Sequence, residues 1–179
     1  MFTPVALTAL VLIAVAIIVL LIIAATKPDT FRIQRATTIK APPATIFALI
    51  NDFHRWSAWS PWEKKDPDMK RTFSGAETGQ GAIYAWDGNK NVGAGQMEIT
   101  ESSTPSKVVI KLDFLKPFEG HNLAEFTMEP RGDATAVTWL MHGPRSYVHK
   151  LMSTLINMDK MIGKDFEAGL ANLKAVSEK

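Results

Sequence analysis

Cysteine is absent from this chain of 179 residues. That removes disulfides, thiolate metal sites and cysteine nucleophiles, and it fits an oxidising or a reducing compartment equally. Charge is absent from one long stretch. Val5 to Ala25 holds no ionisable side chain, and Thr8 is its only polar residue. All 20 basic and 18 acidic residues lie beyond residue 26, so the rest of the chain is close to neutral and mixed in sign. There is no basic stripe, which argues against a nucleic-acid partner. The sequence also lacks a Gly-rich phosphate loop, a nucleophile elbow and a paired His-Glu helix. His54, His121, His142 and His149 are scattered without metal-ligand spacing. No catalytic residue, metal site or cofactor is therefore assigned.

The uncharged run is the most informative feature present. Its 21 residues would reach roughly 31 Å as a helix, enough to cross the hydrocarbon core of a bilayer. A cleaved signal peptide is the first alternative. No Lys or Arg precedes the run, the apolar stretch is long, and Ala24-Ala25-Thr26 is a mediocre cut. A buried core helix is the second alternative, but a helix apolar on all sides needs protein on all sides. The expected organisation is a transmembrane anchor over 1–26, a linker over 27–30 and a ligand-binding domain over 31–179. Lys27, Arg32, Arg35 and Lys40 follow the run against one acid, Asp29. The positive-inside rule then places the domain in the cytoplasm of a single-pass membrane protein.

Beyond the linker, Phe31 to Ile39 reads as a strand. Pro42-Pro43 suits the first turn of a helix carrying Ile46, Phe47 and Ile50. Asp52 can cap a second short helix through Phe53, Trp56 and Trp59, ended by Ser60-Pro61. Strand character follows over 69–75, 81–87, 94–102, 106–115, 121–129 and 134–142, separated by turn residues such as Arg131-Gly132-Asp133. Val108, Ile110, Leu112 and Phe114 alternate with Lys111 and Asp113, and Ala124, Phe126 and Met128 with Glu125, Thr127 and Glu129. Val137, Trp139 and Met141 form a third apolar face, and Met97 and Ile99 a fourth. Short turns between such strands imply antiparallel neighbours.

Val148, Leu151, Leu155, Ile162, Phe166, Leu170 and Leu173 keep the spacing of one buried helical face. They predict a final helix near 146–176, about 45 Å long, with a possible break around 157–163. The expected fold class is α+β. One curved antiparallel sheet of about seven strands wraps a long C-terminal helix, and two short helices close one end.

This order of elements resembles the START-like or Bet v 1-like (SRPBCC) superfamily, with its helix-grip fold. It is most similar to the bacterial polyketide cyclase/dehydrase-type branch. Three stretches carry the resemblance: Ile39 to Pro43 with Ile46-Phe47, Asn51 to Trp62, and Gly163 to Glu167 with Gly169-Leu170 and Leu173-Lys174. The membrane helix lies outside the shared domain. The resemblance implies a cavity between sheet and final helix that takes an apolar or amphipathic molecule. The sheet's candidate lining is Tyr84, Trp86, Met97, Ile110, Leu112, Phe126, Met128, Trp139 and Met141, joined by Trp59, Ile162 and Phe166. Methionine suits irregular pockets, although it suits a packed core equally. Trp56, Trp59 and Trp62 could gate the cavity, meet the membrane interface or cap the core. Gly163 and Gly169 either permit close helix–sheet approach or leave cavity volume, and close packing is favoured.

Two function classes follow. The first is a membrane-anchored module that binds or carries a hydrophobic small molecule or lipid. The second is a cyclase- or hydratase-like enzyme on an apolar substrate. The first is favoured because the inward set is apolar and lacks an acid–base pair. An interaction or stress-response module with a vestigial cavity is a third reading.

Overall fold

The structure, a computed structural model, describes residues 3–179 and divides into two compact units. The smaller holds the chain up to Phe31 together with Pro144–Met158, and the larger holds Arg32–Gly143 and Asp159–Lys179.

In the smaller unit, helix α1 spans Pro4–Thr26. The Thr3 hydroxyl accepts the Ala6 N–H at 3.4 Å, and Pro4 occupies the first turn, where its missing N–H is not needed. Thr8 donates to the Pro4 carbonyl at 3.0 Å, so the run's polar side chain is satisfied within the helix. The side chains of α1 are exposed along most of its length, with Ala6 and Leu20 half-buried and Ala24 buried. The helix is long and apolar enough to cross a membrane, a property that a signal sequence shares. Helix α4, Tyr147–Leu155, belongs to the same unit and packs against α1.

The larger unit is built on a seven-stranded sheet: β1 Thr30–Ile39, β2 Lys70–Gly75, β3 Ala82–Asp87, β4 Ala94–Ser103, β5 Lys107–Lys116, β6 Gly120–Arg131 and β7 Ala134–Pro144. The spatial order is β1-β7-β6-β5-β4-β3-β2, with successive pairs from β2 to β7 antiparallel. Each strand expected from alternation is present, with ends within two residues of the sequence reading. The β6–β7 connection is a two-residue turn in which Arg131 pairs with Ala134 and Gly132 takes φ 65°, a conformation in which glycine carries no Cβ penalty. Helix α2, Pro43–Ile50, buries Ile46, Phe47 and Ile50 as their spacing predicts. Asp52 caps the 3₁₀ helix Phe53–Ala58, accepting the His54 N–H at 2.9 Å. Helix α3, Pro61–Lys65, follows.

The C-terminal helical region is two helices rather than one. Helix α5, Met158–Ser177, is separated from α4 by Ile156 and Asn157, and Ile156 is extended at φ −124° and ψ 132°. The Ser153 and Thr154 hydroxyls both turn back onto the Lys150 carbonyl, at 2.8 and 2.9 Å, and β-branched Ile156 follows. The break corrects the single buried stripe: Phe166, Leu170 and Leu173 on α5 are buried, whereas Val148 and Leu155 on α4 are exposed.

Helix α5 lies close against one sheet face. A Cβ on Gly169 would stand 2.8 Å from the Trp139 ring and 3.1 Å from Pro61, so glycine is what permits the approach. At Gly163 the space a Cβ would need is taken by the Arg35 guanidinium from β1. Arg35 reaches Glu167 at 2.7 Å and Asp159 at 3.1 Å, clamping β1 to α5. Both glycines therefore serve close packing.

Candidate functional site

Antiparallel register brings the predicted lining residues onto one face. Tyr84 lies opposite Met97, and Met97 opposite Leu112. Ile110 faces Ala124, and Ala124 faces Met141. Phe126 pairs with Trp139, and Met128 with Val137. Asn122, opposite Leu112, falls on this face too. Trp59, Tyr84, Met97, Ile110, Phe126, Met128, Trp139, Met141 and Phe166 are buried, while Trp86, Leu112 and Ile162 are half-buried.

Rings dominate the middle of this interior. Phe166 stacks on Trp139 with centroids 4.2 Å apart and planes within 5°. Phe126 lies 4.7 Å from Trp139 on its neighbouring strand. Trp59 and Trp62 meet Trp139 edge-on at 5.7 and 5.6 Å. Trp56 continues the contact to Phe126, and Phe53, Tyr84, Trp86 and Phe114 extend the aromatic chain toward β3–β5. Trp56 and Trp59 are buried, so neither presents its ring to solvent.

The indole donors divide in an informative way. Trp56 donates to the Ile50 carbonyl at 3.0 Å, Trp59 to Leu49 at 3.2 Å and Trp86 to Val92 at 3.1 Å. Trp139 Nε1 is buried and has no acceptor among the described residues. Buried donors are nearly always paired, so this one singles out its position.

One polar cluster enters the same interior. Glu63 on α3 accepts from Arg71 Nε on β2 at 2.7 Å and from the Tyr84 hydroxyl on β3 at 2.7 Å. Its side chain is 9% exposed, and Arg71 also donates to the Pro67 and Met69 carbonyls. Burial, reinforced by the hydrogen bond to Glu63, pushes the Tyr84 phenol well above the ordinary tyrosine range. The phenol is therefore a permanent donor at neutral pH, and both Glu63 oxygens are occupied. Sequence reasoning placed Tyr84 among the inward residues but missed Glu63. It sits on a five-residue helix too short for periodicity to assign a face.

Asp113, Glu125 and Glu129 point outward, as alternation predicted. Asp113 holds His121 at 2.7 Å and Glu125 holds His142 at 2.8 Å. The hydrogen bond to Asp113 raises the His121 imidazole above its ordinary value. A shallow groove of about 240 Å³ on this side is lined by Arg32, Gln34, Glu125, Thr127, Thr138 and Leu140. Among the described residues, no three His, Asp or Glu side chains are grouped to hold a metal ion.

A seven-stranded sheet gripping a long C-terminal helix, with three short helical elements after the first strand where the sequence suggested two, defines the α+β helix-grip class. The family model for polyketide cyclase/dehydrase and lipid transport matches residues 30–178, and the chain belongs to that family. Solved structures share the fold. A Chromobacterium violaceum protein is similar over 85% of this chain and 99% of its own, at 15% identity and a TM-score of 0.59. Ginseng major latex-like protein 151 from Panax ginseng matches 85% of this chain and 100% of its own, at 12% identity and a TM-score of 0.59. The di-domain ARO/CYC BexL from the BE-7585A biosynthetic pathway matches 88% of this chain over 53% of its own, at 10% identity and a TM-score of 0.61. At these identities the likeness concerns fold. No curated protein matches the chain.

Proposed function

We propose that this protein is a membrane-anchored module that binds or carries a hydrophobic small molecule or lipid between the sheet and α5. Membership of a family that spans cyclases and lipid transport supports a hydrophobic ligand. The observation that carries the reading is the orphan Trp139 N–H within an apolar, methionine- and aromatic-rich interior. It favours an apolar ligand with a hydrogen-bond acceptor, such as a carbonyl, ester or hydroxyl oxygen. The lining proposed from the sequence would surround the apolar part. In this scheme residues 1–26 anchor the chain, 27–30 link and 31–179 bind. The exposed apolar α1 supports the anchor.

Trp139→Phe tests the ligand contact. Phenylalanine keeps an aromatic surface for the stack on Phe166 but removes the N–H. The donor is already unpaired, so its loss alone costs little, and the smaller ring should lower stability in a urea melt by about 1–3 kcal/mol through the void it leaves. Affinity for a fluorescent fatty ester should fall several-fold, while affinity for a hydrocarbon probe of similar size stays level. Equal loss of both probes would mean that Trp139 contributes shape alone.

An enzyme is the second reading, and the buried Tyr84–Glu63 pair is what favours it. The phenol could donate a proton to a substrate oxygen, but Glu63 is held by Arg71 and is not free to act as a base. Binding without conversion is therefore preferred. The domain is placed in the cytoplasm on the strength of Lys27, Arg32, Arg35 and Lys40. A reporter fused after Lys179 should be active when it requires the cytoplasm. Activity of an export-dependent reporter would reverse the orientation.

A further inference from the structure

We infer that α4 is an interfacial helix whose exposed apolar face seats in the headgroup–acyl boundary of the bilayer that α1 spans. This rests on the anchoring reading and adds a second membrane contact to it.

The two sides of α4 differ. One side is tied to the end of α1 and the segment after it. The Tyr147 hydroxyl donates to the Leu21 carbonyl at 3.0 Å, and Lys27 Nζ donates to the Ser153 carbonyl at 2.6 Å. The buried Lys150 ammonium pairs with the Asp29 carboxylate, which is thereby held below the usual range. The Arg145 N–H adds a bond to the Asp29 carbonyl at 2.6 Å. These bonds fix α4 at the level of residues 21–29. In a membrane-spanning α1 that is where the chain leaves the hydrocarbon, because Lys27 is its first charge.

The other side of α4 is apolar and open. Val148 and Leu155 are seven residues apart, which places them on one helical face, roughly opposite Lys150. They are 53% and 70% exposed, and Ile156 just beyond is 45% exposed. The helix has nine residues, about 13 Å, and spans nothing. Lying in the interface plane is the arrangement that buries such a face. The contact of α4 with α1, whose apolar side chains are largely exposed, identifies the occupant as lipid. Tyr147 beside the α1 end fits the enrichment of tyrosine at membrane–water boundaries.

The cysteine-free chain makes the test direct. Leu155→Cys, and separately Lys164→Cys on the exposed side of α5, are labelled with an environment-sensitive NBD probe in the full chain. Each is reconstituted into phosphatidylcholine vesicles, with and without lipids carrying a shallow doxyl quencher. The probe at 155 should show blue-shifted emission that the quencher lipids extinguish, while the probe at 164 stays water-like and unquenched. Water-like emission at 155 in chains that float with vesicles would overturn the inference and leave the anchor standing. A blue shift without lipid quenching would overturn it in favour of a protein occupant such as a second copy. Failure of the unlabelled chain to float would overturn the anchor and the inference together.

Discussion

Phe166→Ala is expected to lower the unfolding free energy by about 3–5 kcal/mol, through lost burial plus the void left behind. Phe166 is 1% exposed and lies flat on Trp139 at 4.2 Å, with Trp62 edge-on at 6.2 Å. Stacked ring pairs add about 0.5–1.5 kcal/mol beyond area burial. Gly169 already brings the helix backbone against Trp139, so α5 has little freedom to collapse into the space. Lys164 is exposed two residues away, and Lys164→Ala should stay within about 0.5 kcal/mol. Urea melts of the chain begun at Lys27 measure both, with and without an apolar fluorescent probe. Close packing predicts the full loss for Phe166→Ala. A smaller loss accompanied by altered probe affinity would mean that the bound molecule packs directly against Phe166. A neutral result in both would contradict the helix register and the site together.

Glu63→Ala should cost about 2–3 kcal/mol. The carboxylate is nearly enclosed and accepts two bonds of 2.7 Å, and its loss strands the buried Tyr84 hydroxyl. Arg71 is about a quarter exposed and keeps two carbonyl acceptors, so its share is discounted for solvent. Tyr84→Phe removes only the hydroxyl and should cost about 1 kcal/mol. The cluster also predicts a pH dependence. A tyrosine with a raised folded pKa binds its proton more tightly in the native state, so its contribution is complete below the unfolded value of about 10. Above that pH, stability falls as the unfolded chain releases the proton first. Melts between neutral and alkaline pH should show the decline in the native chain and less of it in Tyr84→Phe. Identical slopes would place Tyr84 in an environment no different from water.

Strand alternation and turn chemistry carried most of the fold, because one buried sheet face imposes a period-two pattern that a register slip would destroy. Val108 to Phe114 and Ala124 to Met128 are cases in which the sequence names the face and the structure agrees. The division of the final helix was less legible. Val148, Leu151 and Leu155 keep helical spacing with Ile162 and Phe166 across the break, and periodicity is blind to the two-residue interruption at Ile156-Asn157. The cost of that blindness was two apolar residues assigned to a core from which they are absent. The polar cluster was legible in part: Arg71 and Tyr84 depend on strand register, whereas Glu63 depends on how a short helix is aimed. Gly163 could be marked as unusual from the sequence, but its reason, an arginine arriving from β1, is a tertiary contact that no local pattern encodes.

The central claim is that the interior between sheet and α5 holds an apolar molecule with an acceptor oxygen without transforming it. Mass spectrometry of small molecules extracted from the full chain, purified out of its native membranes, tests this most directly. A stoichiometric lipid or apolar metabolite bearing a carbonyl, ester or hydroxyl is predicted. It should be chemically unchanged after incubation with the protein and depleted in preparations of Trp139→Phe. Recovery of no such molecule, or of one converted to a product by the native chain but not by Tyr84→Phe, would contradict it.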